Sequence, residues 1–284
     1  MSDSIFSAHL SSNRSVLLMS TYNGQRFIQD TLHSIENQST QAFDLIFCDD
    51  CSSDGTLSIL EAFQRKHPDR VRILRNDQNL GIPGTKNRLL DAAKDYEFIV
   101  YHDQDDISLP ERVETQVNYL KTHPDVAAVG GWIEIFNSET NEKHIRTYAA
   151  DHDTLVKSIL RCSPLAQPTV ALRVSALSSV RSRAQYGPCE DYDMWLRIGA
   201  TGKLANIQQV LLKYRDHPNS TTRAKLVAME KFALQIRYEH VRGGLYRPSL
   251  FDLLFNLAQL TTMKLFPADV RMRFFNFIRA KGLI

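Results

Sequence analysis

Along the first half of the chain, short apolar runs alternate with segments of helical period. Val16-Leu17-Leu18-Met19 is the first run, and from about Gln25 the apolar residues Phe27, Ile28, Leu32 and Ile35 recur at the intervals of one helix face. Phe43–Cys48 predicts a second strand, and Leu57, Leu60 and Phe63 predict the face of a helix after Asp54-Gly55-Thr56. Val71–Leu74 predicts a third strand, followed by a helix from near Pro83, a residue suited to a first helical turn. Phe98–Tyr101 is the fourth run, and Pro110 opens a helix bearing Val113, Val117 and Leu120. Val126–Val129 and Trp132–Phe136 predict two further strands. Alternation of this kind predicts an α/β fold around a mixed, mostly parallel sheet flanked by helices.

From about 150 to 222 the pattern loosens into mixed α+β with long loops, and from Arg223 onward it is helical. Phe251, Leu254, Phe255, Ala258 and Leu265 fit one apolar face. Arg271–Ile284 sets Phe274, Phe275, Phe277 and Ile278 beside Arg271, Arg273, Arg279 and Lys281. A helix of that composition either lies on anionic lipid or packs against the body, and packing is the expectation. A homodimer contact through 223–284 would suit it equally.

Composition adds an asymmetry. The 284 residues, 43% hydrophobic, suffice for one large domain with an appendage. The net charge of +2 carries no nucleic-acid signature. Yet residues 223–284 hold 11 Lys+Arg against 4 Asp+Glu, and residues 1–222 hold 23 against 28. An acidic body with a basic tail predicts a catalytic domain followed by a part that meets an anionic surface. The first 14 residues are polar and Val16–Met19 is far too short for a signal or spanning helix, so a cytoplasmic location is expected, with peripheral contact to the inner face of the membrane. Four cysteines in this length make no disulfide framework. Cys48-Asp49-Asp50-Cys51 has redox spacing, but two aspartates between the thiols oppose thiolate formation.

Candidate chemistry gathers where strands end. Close behind the fourth run stands Asp103-Gln104-Asp105-Asp106. Adjacent acids repel one another unless a cation sits among them. A divalent cation carrying a phosphorylated substrate answers that need; acids turned to water are the alternative. The second strand ends in Asp49-Asp50-Cys51-Ser52-Ser53-Asp54, the first in Ser20-Thr21-Tyr22-Asn23-Gly24. In a parallel sheet these ends share one edge, where α/β proteins hold ligands. An aromatic face, paired acids and a metal-type cluster describe a nucleotide pocket. Asn79-Leu80-Gly81-Ile82-Pro83-Gly84-Thr85-Lys86-Asn87 enters a helix with Lys86 early enough to reach phosphate.

The ordered set Thr21-Tyr22-Asn23, Asp49-Asp50-x-Ser52-x-Asp54-Gly55-Thr56, Asn79-x-Gly81 with Lys86-Asn87, Asp103-x-Asp105-Asp106-x-x-x-Pro110, and Glu190-Asp191-Tyr192-Asp193-x-Trp195-Leu196-Arg197 resembles the family 2 glycosyltransferases of the GT-A fold, over roughly residues 15–220. The family more often has arginine where Lys86 stands. The resemblance implies an inverting enzyme of bacterial polysaccharide or oligosaccharide synthesis. Its catalytic domain would be 1–222, with a nucleotide-sugar half (about 15–136) and an acceptor half (about 137–222), followed by the helical 223–284. It implies a nucleotide-sugar pocket drawn from Thr21, Tyr22, Asn23, Asp49, Asp50, Asn79, Lys86, Asp103 and Gln104, with Asp50 or Asp49 on the base. Mn²⁺ or Mg²⁺ would be held among Asp103, Asp105, Asp106 and His217. Asp191 would be the catalytic base, with Glu190 and Trp195 on the acceptor side. The implied partners are a nucleotide-sugar donor, UDP favoured, and a saccharide or glycolipid acceptor.

Such a displacement needs a cation for the departing diphosphate and a carboxylate for the acceptor proton. The Gln-x-x-Arg-Trp element and multiple membrane helices of processive synthases are missing from the sequence, which predicts addition of one or a few sugars. The loop Pro164–Thr169 is expected to shape the acceptor side. A nucleotidyltransferase could share the sheet, nucleotide and metal, but it has no need of Glu190-Asp191, and Thr21–Arg26 is a poor match to its usual Gly-rich basic loop. A non-catalytic nucleotide-sugar-binding scaffold at the membrane is the other alternative, and the presence of every required acid argues against it.

Overall fold

The four apolar runs become four parallel strands, three of them covered on both faces and the Val71–Leu74 run, at the sheet edge, only partly buried. In the computed structural model, which describes residues 14–140, 142–178, 180–218 and 220–280, they are β1 (Ser15–Thr21), β2 (Asp44–Asp49), β3 (Val71–Arg75) and β4 (Phe98–Asp103). The helices α1 (Ile28–Glu36), α2 (Thr56–Lys66) and α3 (Gly81–Ala92) connect them. Side chains alternate between two layers, as strand geometry requires. Leu17, Met19, Leu45, Phe47, Phe98 and Val100 pack with Ile28, Leu32 and Ile35 of α1 and Leu60 and Phe63 of α2. Val16, Leu18, Ile46, Ile99 and Tyr101 face the opposite layer with Leu89 and Leu90 of α3.

After β4 come β5 (Ile107–Ser108), α4 (Arg112–Thr122), β6 (Val126–Asn137), β7 (Lys143–Arg146), α5 (His152–Ser158), β8 (Ala171–Arg173), α6 (Glu190–Gly199) and β9 (Lys203–Asp216). One sheet runs β3-β2-β1-β4-β8-β6-β9-β5, and β7 pairs with β6. The pairs β1/β2, β1/β4, β2/β3 and β6/β9 are parallel; β4/β8, β6/β8, β5/β9 and β6/β7 are antiparallel.

Two sequence expectations change here. The predicted strands Val126–Val129 and Trp132–Phe136 are one strand, β6, with register irregularities against β9 beside Trp132. Gly130-Gly131, between the two predicted runs, lies within the strand. A Cβ on Gly130 would stand 2.5 Å from the Asn206 side chain, and one on Gly131 would collide with Leu211, so these glycines admit β9 rather than turn the chain. The fourteen-residue β9, unread in the loose segment 150–222, is the other difference. Its exposed Gln208 and Gln209 interrupt the apolar pattern that would have announced a strand.

The C-terminal helices are α7 (Thr221–Ala224), α8 (Leu226–Arg242), α9 (Leu250–Leu265) and α10 (Ala268–Ala280). Ile236 of α8 lies in the core. The polar side of α9 meets the body: Arg161 forms an ion pair with Asp252, and Arg237 donates to Asn256 (3.0 Å) and Gln259 (2.8 Å). Helix α10 packs on the body, as expected, with Arg271 paired to Glu230 and Arg279 over the Tyr148 ring at 4.5 Å. Lys281 and the end of the expected helix lie outside the described residues. Among those residues no helix is long and apolar enough to cross a membrane.

Candidate active site

The strand register places the sequence motifs at one edge. Thr21 pairs with Asp49 and Ser20 with Asp103, so the carboxyl ends of β1, β2 and β4 are level. They open onto a cleft of about 1040 Å³, also lined from α6, β9, α10 and the loop before β8. Of the expected residues, Thr21, Tyr22, Asn23, Asp50, Asn79, Lys86, Asp103, Gln104, Asp105, Glu190, Asp191 and His217 line it; Asp49, Asp106 and Trp195 do not.

The β1 and β4 ends are clasped together. Tyr22 N donates to Gln104 Oε1 at 2.9 Å, and Gln104 Nε2 donates to Tyr22 O at 3.0 Å. Gly24 lies so close to the Gln104 amide that a Cβ would collide with it. Asn23 adopts φ +47°, a conformation asparagine tolerates, and its Oδ1 accepts from Ser53 N at 2.9 Å. Tyr22 is thereby left exposed at the mouth of the cleft.

The paired acids of β2 divide their work. Asp49 is fully buried and accepts from Ser52 N (3.0 Å) and Thr21 Oγ1 (3.4 Å), so it ties the strand ends together. Asp50 reaches the cleft while accepting from Asn76 Nδ2 (2.7 Å), Leu80 N (2.8 Å) and Gly81 N (2.9 Å). It thus also fixes the entry to α3, and Asn79 caps the same turn by accepting from Gly81 N at 3.0 Å.

The acidic cluster after β4 is divided in the same way. Asp105 Oδ2 stands 3.0 Å from His217 Nε2, at the end of β9. Asp103 faces the same cleft, and burial first, with help from neighbouring Asp105 and Glu190, raises its pKa to about 6. Asp106, expected among the metal ligands, is instead turned inward: its Oδ1 accepts from Arg215 N at 2.9 Å. Burial and the neighbouring acids push its pKa well up. Arg215, which the sequence reading passed over, ties this loop by donating to Asp105 O and Asp30 at 2.9 Å each. Arg112 is another such residue; fully buried, it binds Ser108 Oγ (3.0 Å) and Tyr101 O beneath the acids.

The donor set suits a divalent cation. Carboxylate and imidazole converge at Asp105 and His217, Asp103 adds a further carboxylate to the cleft, and the buried His217 Nδ1 has no hydrogen-bond partner among the described residues. Among those residues no group of three or more His, Cys, Asp or Glu is arranged to hold an ion unaided. A site of that kind is completed by phosphate oxygens and water.

Lys86 does not point freely toward a phosphate. It is buried, with Nζ 2.6 Å from Glu190 Oε1. Burial disfavours its charge, but Glu190, Asp103 and Asp191 outweigh burial and raise its pKa. Gln167 bridges the group when its amide is oriented to satisfy both neighbours, with nitrogen 3.1 Å from Asp103 and oxygen 3.1 Å from Lys86. Gln167 belongs to the loop expected on the acceptor side.

Asp191, in the first turn of α6, lines the cleft. Burial first, then Glu190, raises its pKa to about 7, against the opposing charge of Lys86. That value suits a group that takes a proton near neutrality. Two turn-mates are structural. Asp193 is buried between Arg197 (2.6 Å) and His240 (2.8 Å), and Trp195, expected on the acceptor side, is 1% exposed in the core, its ring edge-on to Tyr101. Depth along the helix separates them: Glu190 and Asp191 begin it at the cleft, whereas Trp195, four residues on from Asp191 and on the same side, lies one turn deeper against the sheet. The Cys48 thiol is raised to about 12, chiefly by burial, which opposes redox chemistry at Cys48-x-x-Cys51.

Comparison with known proteins agrees with this geometry. The model of glycosyl transferase family 2 matches residues 16–180. The chain is 30% identical over 211 residues to the putative glycosyltransferase EpsE of Bacillus subtilis, covering 73% of this chain and 74% of that protein. It is 23% identical over 259 residues to the UDP-Gal:alpha-D-GlcNAc-diphosphoundecaprenol beta-1,3-galactosyltransferase of Escherichia coli, covering 90% and 92% of the two. The mannosyltransferase PcManGT from Pyrobaculum calidifontis, solved with GDP-Man and Mn²⁺, superposes with a TM-score of 0.62 at 17% identity, over 92% of this chain and 78% of that one.

Proposed function

Because the chain belongs to glycosyl transferase family 2, a glycosyltransferase with the GT-A fold, we propose that it is an inverting, metal-dependent enzyme that moves one sugar from a nucleoside diphosphate, UDP favoured, to a hydroxyl of a saccharide or lipid-linked saccharide. The observation that carries this reading is the joint lining of one cleft by Asp103, Asp105 and His217 on one hand and by Asp191 on the other. The names of similar proteins support the substrates: one acts on UDP-Gal and a diphosphoundecaprenol-linked sugar, and another was solved with Mn²⁺. Relatives named for amylovoran and teichuronic acid biosynthesis support a role in bacterial polysaccharide synthesis.

Asp105 and His217, with Asp103, would hold Mn²⁺ or Mg²⁺, which as a Lewis acid stabilises the charge on the departing diphosphate. Tyr22 and Asp50 would orient the nucleotide. The acceptor oxygen forms the new bond to the anomeric carbon as the bond to the diphosphate oxygen breaks, and Asp191 takes the hydroxyl proton. Attack from the face opposite the leaving group inverts the anomeric centre. Lys86, held by Glu190 and Gln167, would keep the positive charge beside Asp103 and Asp191. The test is the configuration of the product bond by proton NMR, run beside Asp191→Asn. Inversion with loss of transfer in the variant is expected; a retained configuration would overturn the mechanism.

A further inference from the structure

Helix α9 has its polarity reversed. Asp252, Asn256 and Gln259 face the protein, where they engage Arg161 and Arg237 and where Asn256 also donates to Leu160 O at 3.0 Å. The other side carries Leu250, Leu253, Leu254, Leu257, Leu260 and Leu265, at the spacing of one helical stripe, and all are exposed; Leu250 is 73% exposed and Leu265 67%. An amphipathic helix on a soluble body normally points its leucines inward. This one is anchored by a buried ion pair and presents its leucines outward.

We propose that the leucine face of α9 seats on an anionic bilayer surface. The charges around it choose this occupant over a second copy of the chain. Arg242, Arg247, Lys264 and Arg273 are exposed in and around the helical tail, whereas three of its four acids, Glu230, Glu239 and Asp252, engage Arg271, Tyr186 and Arg161. A two-fold contact would set these basic patches against each other, but an anionic lipid surface attracts them while its acyl region takes the leucines. Helix α10 follows after Phe266 and Pro267 and lines the cleft through Met272, Arg273, Asn276 and Arg279. The lipid-facing helix and the cleft wall are thus consecutive, which opens the cleft beside the membrane. This surface goes beyond the proposed reaction and does not depend on it.

The experiment is co-sedimentation of the full chain with phosphatidylcholine vesicles, with or without phosphatidylglycerol, beside Leu254→Gln/Leu257→Gln. Binding to the anionic vesicles, weakened in high salt and reduced about tenfold or more in the variant, is expected. UDP titration of the same samples serves as a fold control and separates failure of this surface from failure of the active-site reading. Binding that the variant leaves unchanged, or no vesicle binding at all, overturns the proposal. So does a concentration-dependent dimer, seen by sedimentation velocity, that the variant dissociates, since a second copy would then cover the stripe.

Discussion

Lys86 and Glu190 are 104 residues apart in sequence, and they meet as a buried ion pair at 2.6 Å, on the wall that separates Asp103 from Asp191. The pair joins the second turn of α3 to the first turn of α6 and so fixes the position of the proposed base relative to the nucleotide side. Removing one partner strands the other charge in a poorly solvated site. Lys86→Met is therefore expected to cost about 3 kcal/mol or more, and Lys86→Met/Glu190→Leu to recover part of that. Urea unfolding of the four members of the cycle measures the coupling; additive single effects would show that the pair contributes no interaction energy.

Asp191→Asn is expected to lower the transfer rate by about a hundredfold or more while leaving UDP affinity within about twofold. Calorimetric titration beside a coupled activity assay checks both numbers. Joint loss of binding and transfer would mean that Asp191 serves the nucleotide and not the acceptor.

The raised pKa of Asp191 fixes a sign for pH dependence. A base works only when ionised, so transfer should rise with pH through about 7. Stability runs the other way. The folded protein holds the Asp191 proton to a higher pH than the unfolded chain does, so the stability this gives is full below the unfolded carboxyl range and is lost as pH rises toward about 7. In metal-free buffer Asp191→Asn should therefore raise the melting temperature more at pH 8 than at pH 5, by about 2–4 °C for each 1 kcal/mol relieved. Equal shifts at the two pH values would count against a buried, costly carboxylate.

The division of the acidic cluster predicts unlike variants. Asp105→Asn or His217→Ala should abolish the gain in UDP affinity on adding Mn²⁺, because these groups converge in the cleft. Asp106→Asn should keep that gain, because Asp106 faces inward and burial favours its neutral form, which asparagine resembles. The reverse outcome would restore Asp106 as a ligand.

Trp195→Phe should lower stability by roughly 1–3 kcal/mol for lost packing, softened because the indole N–H is buried without a partner among the described residues. The KM for acceptor should not change. A raised acceptor KM at unaltered stability would return Trp195 to the acceptor wall.

The sequence by itself determined the alternation of strands and helices, the shared edge of their carboxyl ends and the acids gathered there. Those follow from local period and from the rule that parallel strands end level, and both act over a few residues. It could not separate Asp50 from Asp49 or Asp105 from Asp106. Neighbouring acids look alike in one dimension; which of them is turned inward depends on donors such as Ser52 N and Arg215 N, the latter brought in from β9. The face of α9 was equally undecided. Its apolar stripe was legible, but only the arrival of Arg161 and Arg237 beneath Asp252, Asn256 and Gln259 turned the leucines outward, because buried polar groups that find partners hold a helix in place as firmly as leucines in a core.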